Sequence, residues 1–312
     1  MLAATLPQNF KMIPDFQKIM LPFLTILGDG EEHTTVETNQ KLATHFGLTD
    51  EEQNVYLPSG VAKKFPNRVA WAKSHFKMAG LLENTKRSSF KITEQGKKLL
   101  SEKPIEINLR TLKIIPAYLE RTDRTKDDGT SSEVDNPLIT ETPEEILESN
   151  YLKIRKNLSQ ELLIKIKSCT PAFFENLVVE LLVKMGYGGS SIDAGKSIGK
   201  SGDGGIDGII KEDRLGLDII YIQAKRWEGS VGRPEIQKFI GALAGQGAKK
   251  GVFITTSRYT PDAREYHPKN DTKIVLIDGE QLAELMIDFN LAVSISTTFE
   301  IKKIDNDYFG ED

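Results

Sequence analysis

Hydrophobic and polar positions in the first hundred residues recur with the period of amphipathic helices. Phe16, Ile19, Met20, Phe23, Ile26 and Leu27 fall at helical spacing; Pro22 predicts a kink in that run, and Gly28-Asp29-Gly30 a stop. A second helix is expected from Thr34 to Phe46, closed by Gly47, and a third from about Asn67 to Met78, ended by Ala79-Gly80. The third carries Val69, Ala72, Phe76 and Ala79 on its apolar face, with Arg68, Lys73 and Lys77 off it. A hairpin-like pair follows: Leu81-Leu82-Glu83, a polar tip Lys86-Arg87-Ser88-Ser89, then Phe90-Lys91-Ile92-Thr93. Three helices and a basic hairpin describe a winged helix over residues 1–103. Double-stranded DNA is the expected partner, with Arg68, Lys73 and Lys77 brought to the major groove and Lys86 and Arg87 to phosphate.

The regularity breaks from 104 to 168. Arg121 to Glu145 is rich in Asp, Glu, Thr, Ser and Pro and poor in large apolar residues, which reads as a solvated acidic linker, with a short helix from Tyr151 to Lys167 leading out of it. A second domain is expected over 169–312. It opens on a helix with Thr170 as N-cap and Pro171 at its first position, whose buried stripe is Phe174, Leu177, Val178, Leu181, Leu182 and Met185. After a Gly/Ser-rich stretch come two apolar strands, Ile206 to Ile210 and Ile219 to Lys225, and a helix from about Pro234 to Gly245. A strand at Gly251–Thr255, a short helix near Pro261–Tyr266, a strand at Lys273–Ile277 and a closing helix Gly279–Phe289 complete it. Helices before, between and after strands describe an α/β arrangement.

Composition changes the picture only locally. The chain has 312 residues, 39% hydrophobic and 28% charged, enough for two cored domains. The net charge of −4 excludes a surface built to bind nucleic acid everywhere. Charge is segregated, however: residues 60–103 hold eleven Lys and Arg against three Glu, while 120–150 hold ten acids against three bases. The lone Cys169 excludes an intrachain disulfide and a cysteine-rich zinc site. No apolar run approaches the ~20 residues of a membrane span and no secretory signal opens the chain, so no membrane partner and a cytoplasmic location, nucleoid-associated when on DNA, are expected.

The second domain carries the chemistry. Gly202-Asp203-Gly204-Gly205-Ile206-Asp207-Gly208 brings a carboxylate into the first motif strand, and Gln223-Ala224-Lys225 ends the second. Strand side chains alternate, so Gln223 and Lys225 share a face. If the strands pair, that face gathers a carboxylate, an amide oxygen and an ammonium group, the set that phosphodiester hydrolysis needs. On the preceding helix Glu175 borders the apolar stripe and Glu180 points away, which makes Glu175 the candidate helix carboxylate. Asp203 suits either a supporting role or a turn. Gly195-Lys196-Ser197 and Gly199-Lys200-Ser201 echo a phosphate-binding loop, but Ser190 and Ala194 stand where it needs its first glycine. The four histidines show no metal-ligand spacing.

The Asp207, Gln223, Lys225 pattern resembles the PD-(D/E)xK nucleases, with Gln in the usual Glu position. Phe174-Glu175, Gly186 to Gly189, Gly202 to Gly208, Gln223 to Trp227, Val231-Gly232-Arg233-Pro234-Glu235, and Gly241 to Gln246 leading to Gly251 to Ser257 are together similar to Mrr-type restriction endonucleases. Asn67 to Ala72 resembles the winged-helix module of the same family. The resemblance implies an α/β restriction-endonuclease-like core, a central mixed sheet flanked by helices, preceded by a mainly α winged-helix domain. It implies an endonuclease acting on foreign or modified, typically methylated, DNA with Mg²⁺ or Mn²⁺, and it makes Gln223 the usual variant. On that reading Asp207, the Gln223 side chain and the Ala224 carbonyl bind the metal, and Glu175 adds a ligand or positions a metal-bound water. Lys225 orients water or stabilises charge on phosphorus. One such site attacks one phosphodiester, so a homo-oligomer, a dimer or higher, is expected. A DNA-binding regulator with an inactive nuclease domain, and a repair or junction nuclease, are the rival readings.

Overall fold

The computed structural model describes residues 13–86, 88–123, 140–188, 205–213, 215–268, 271–304 and 308. It separates into two units, residues 1–152 with 301–312, and residues 153–300.

The first unit opens with α1 (Phe16–Ile26), capped by Asp15, whose side chain accepts from the backbone N–H of Gln17 and Lys18. Next come β1 (His33–Thr34) and α2 (Thr35–Phe46), the latter closed by Gly47 at φ 61°. Then follow α3 (Asp50–Gln53), α4 (Lys64–Met78) and the hairpin β2 (Leu82–Lys86) and β3 (Ser89–Ile92). The sheet is antiparallel in the order β1-β3-β2. Phe23 of α1 meets Phe76 of α4 and Phe90 of β3 edge-on, at 5.7 and 5.8 Å between ring centres. Helices and hairpin therefore close on one aromatic core. The three expected helices and the hairpin are present in the expected order, with β1 and α3 added; both are too short to leave a periodic signal in sequence.

The expected linker over 104–168 is corrected at both ends, while its middle, residues 124–139, lies outside the described residues. Helices α5 (Glu94–Ser101), α6 (Leu109–Lys113) and α7 (Pro116–Asp123) continue the fold, and α8 (Pro143–Ser168) is far longer than the short helix predicted. The start of α8 docks on α4. Thr142 and Glu145 are buried, Thr142 donates to the Asn67 side chain at 2.7 Å, and Trp71 donates to Glu144. Acidic composition marks a solvated segment only while its charges lack partners, and Glu144 and Glu145 have them.

In the second unit α9 (Pro171–Lys184) precedes β4 (Gly208–Lys211), β5 (Ile219–Lys225), α10 (Arg233–Gly245), β6 (Lys250–Thr255), α11 (Pro261–Arg264), β7 (Lys273–Ile277) and α12 (Gly279–Asp288). The sheet runs β4-β5-β6-β7, with β4 antiparallel to β5 and the remaining pairs parallel. Phe174, Val178 and Leu181 of α9 share a core with Ile222 and Ala224 of β5 and Ile254 of β6. Ile236, Phe239 and Leu243 of α10 pack on the other side with Phe253 and Tyr221. Gly251 permits that approach, because a Cβ there would lie 2.8 Å from Phe239 and Leu243. Alternation in β5 thus turns Ile222 and Ala224 toward α9, and Gln223 and Lys225 toward α10.

Candidate active site

The β4–β5 register assembles the centre. Gly208 lies opposite Ile222, so Asp207, one residue before β4, falls opposite Gln223, and its N–H donates to the Ile222 carbonyl at 2.8 Å. Asp207 Oδ2 accepts from the Ala224 N–H at 2.8 Å and from Gln223 Nε2 at 3.3 Å. Gln223 is 6% exposed, so its amide needs such a partner. Gly205, at φ +112°, crosses close to that amide; a Cβ there would lie 3.4 Å from Gln223 Oε1, in a conformation side chains rarely adopt.

Glu175, in the second turn of α9, is half-buried, whereas Glu180 is exposed. Its carboxyl is raised above the usual range by burial and then by the negative charge of Asp207, so the two acids lie within electrostatic reach of each other. Lys225 points its ammonium to Glu235, in the first turn of α10, with Nζ to Oε2 at 2.5 Å. The same ammonium lies 4.5 Å from the ring centre of Trp227. The Glu235 carboxyl is held below its usual range by Lys225 and then by Lys238, which donates to Oε1 at 2.8 Å. Trp227 is fixed in turn by Thr256, which accepts from its N–H at 3.0 Å and donates to its carbonyl at 2.9 Å. Sequence reasoning gave Glu235 and Trp227 no role. The available signal was an acid in the first turn of the helix after the lysine strand, where the helix dipole favours it.

The Asp207 and Glu175 carboxylates, the Gln223 carboxamide and the Ala224 backbone are the groups here that could offer oxygen to a hard cation, and a cation between Glu175 and Asp207 would relieve their repulsion. Among the described residues no three His, Cys, Asp or Glu side chains cluster for a metal. Asp203, Arg87 and the glycine-lysine-serine repeats at 195–201 lie outside the described residues.

In the first unit the predicted DNA contacts separate. Arg68 is not on the surface: it is 6% exposed, donates to both Glu145 oxygens at 2.7 and 2.8 Å, and reaches the carbonyls of Ile13 and Pro14. Its expected role at the groove is therefore corrected to a buried ion pair joining α4 to α8. Lys73 is half-buried, donates to Thr35 Oγ1 at 3.1 Å and sits 4.0 Å from the Phe90 ring centre. Burial, then the charge of Lys77, pushes it down to about 8. Lys77 is half-buried beside exposed Ala70 and Ser74, and Lys86 is exposed on the hairpin with Glu32 at 3.9 Å. His75 belongs to the core, 2.9 Å from the Tyr118 hydroxyl, with its pKa pushed down to about 4 by burial.

Residues 166–286 match the family model Mrr_cat, described as restriction endonuclease, and residues 16–102 match the Mrr N-terminal domain. The type IV methyl-directed restriction enzyme EcoKMrr of Escherichia coli (strain K12) is 35% identical over 305 residues, covering 95% of this chain and 99% of that one. The chain belongs to the Mrr family of restriction endonucleases. The Mrr catalytic match runs from the end of α8 into α12, and the Mrr N-terminal match from α1 to the end of α5. Two solved structures are also similar to this Mrr-family enzyme. The DNA modification-dependent restriction endonuclease AspBHI is 18% identical with a TM-score of 0.35, over 43% of this chain and 36% of that one. The MspJI restriction endonuclease in complex with a 27-mer oligonucleotide is 23% identical with a TM-score of 0.32, over 42% and 31%. Among the described residues no helix is long and apolar enough to cross a membrane.

Proposed function

We propose that this Mrr-family enzyme is a metal-dependent endonuclease that cuts foreign double-stranded DNA carrying modified, methylated bases. The observation that carries the reading is Asp207 bonded to Gln223 and to the Ala224 N–H, with Lys225 two residues along the same strand face and Glu175 within its electrostatic reach. The 35% identical relative is named as methyl-directed, which supports the substrate class.

Asp207, the Gln223 amide oxygen, the Ala224 carbonyl and Glu175 would hold Mg²⁺ or Mn²⁺. The bound cation supplies a Lewis acid and lowers the pKa of water at the phosphate. Gln223 presents its nitrogen to Asp207; a half-turn of the carboxamide offers its oxygen from the same place. Because Gln brings no charge, the site binds cations more weakly than one with Glu. Lys225 supplies positive charge where it develops as negative on the pentavalent phosphorus. The first unit supplies DNA affinity through Lys73, Lys77, Lys86 and Arg87. The working enzyme is a homo-oligomer of twofold symmetry, so that equivalent sites meet antiparallel strands.

The test is cleavage of methylated, unmodified and branched duplexes, each with Mg²⁺, Mn²⁺ or chelator. Metal-dependent cutting of the methylated duplex alone is expected. Preference for branched DNA would replace the substrate assignment with junction processing, and no cutting of any duplex would favour a binding protein.

A further inference from the structure

We propose that Glu235 and Trp227 are positioning residues that hold the Lys225 ammonium in place for strand cleavage, an inference that rests on Lys225 acting in the proposed nuclease site. A lysine ends in a point charge on a four-carbon stem and finds no fixed position by itself. Here it is met from two sides, by Glu235 Oε2 at 2.5 Å and by the Trp227 ring at 4.5 Å.

Both holders are anchored to rigid elements. Glu235 rises from the first turn of α10, a helix seated by Ile236, Phe239 and Leu243, and its other oxygen is taken by Lys238. Trp227 leaves β5 with both backbone groups tied to one buried hydroxyl, that of Thr256. The pair is also partly withdrawn from water: the Lys225 and Glu235 side chains are 23% and 16% exposed, against 72% for Lys238. An ordinary surface pair contributes little and tolerates loss. A half-buried one between two rigid elements fixes geometry, and catalytic steps are sensitive to displacements of an ångström.

The test compares Glu235→Gln, Glu235→Ala, Trp227→Leu and Lys225→Ala in the full chain on a methylated duplex. Single-turnover rate, DNA affinity, melting temperature and tryptophan emission are read for each. Glu235→Ala and Trp227→Leu are expected to slow cleavage by about 10- to 100-fold with DNA affinity unchanged. Glu235→Gln, which keeps shape and an acceptor oxygen, should recover part of that loss and covers the case in which Glu235→Ala does not fold. Removing the Glu235 charge should also change tryptophan emission, and that change should vanish in a Trp227→Phe background. If Lys225→Ala is inactive while Glu235→Ala and Trp227→Leu cut at the parental rate, the positioning role is overturned and the nuclease site stands. Faster cleavage by Glu235→Gln would overturn it too, making Glu235 a restraint. Parental cutting by Lys225→Ala would remove the site reading itself.

Discussion

Arg68 commits its guanidinium inside the amino-terminal unit, to Glu145 and to two backbone carbonyls. Removing it leaves the buried Glu145 carboxylate with only the looser Lys64 ammonium, at 3.7 Å, which costs up to about 3–5 kcal/mol. Arg68→Ala should therefore lower unfolding free energy by about that much in a urea titration and leave the salt dependence of DNA binding unchanged. Lys86→Ala should do the reverse, sparing stability and reducing the slope of log affinity against log salt by about 0.9. A helical wheel could not separate the two, because Glu145 arrives from 77 residues away in sequence. Glu175 offers a second test. Burial and Asp207 make the folded chain hold its proton more tightly than the unfolded chain does, so stability falls as pH rises through that window and stays lower at neutral pH. Glu175→Gln should raise the melting temperature at pH 7.5, with the gain gone below about pH 4, while slowing cleavage. A lower melting temperature at neutral pH would contradict the repulsion.

At the scale of elements, β5 was the most legible. A two-residue period fixes which side chains share a face, and an antiparallel neighbour set Asp207 opposite Gln223 with no further information. The Glu175 side of α9 was equally readable, since a helix with a strong apolar stripe has few orientations. What failed was α8. The composition up to Glu145 resembles a solvated linker until Thr142, Glu144 and Glu145 find partners on α4, and those partners lie far off in sequence. The Lys225 pairing with Glu235 was hidden for a related reason: it depends on how α10 packs back on the sheet, which local pattern does not specify.

For the whole molecule, the first unit brings basic side chains to one helix and hairpin, and the second gathers an amide and a lysine on β5, a carboxylate just before β4 and another on α9. The division was visible as a change from a basic helical segment to an α/β order, although the boundary falls within α8, at 152/153, rather than in a linker. On the proposed function, the Asp207, Gln223, Lys225 site cuts the DNA that the first unit binds. One titration decides this: cleavage of a methylated plasmid by intact chains co-assembled with rising fractions of Lys225→Ala chains. Pure Lys225→Ala should bind the plasmid with parental affinity and cut neither strand, and mixtures should lose double-strand breaks faster than nicks. Cleavage by pure Lys225→Ala at the parental rate would place the chemistry elsewhere.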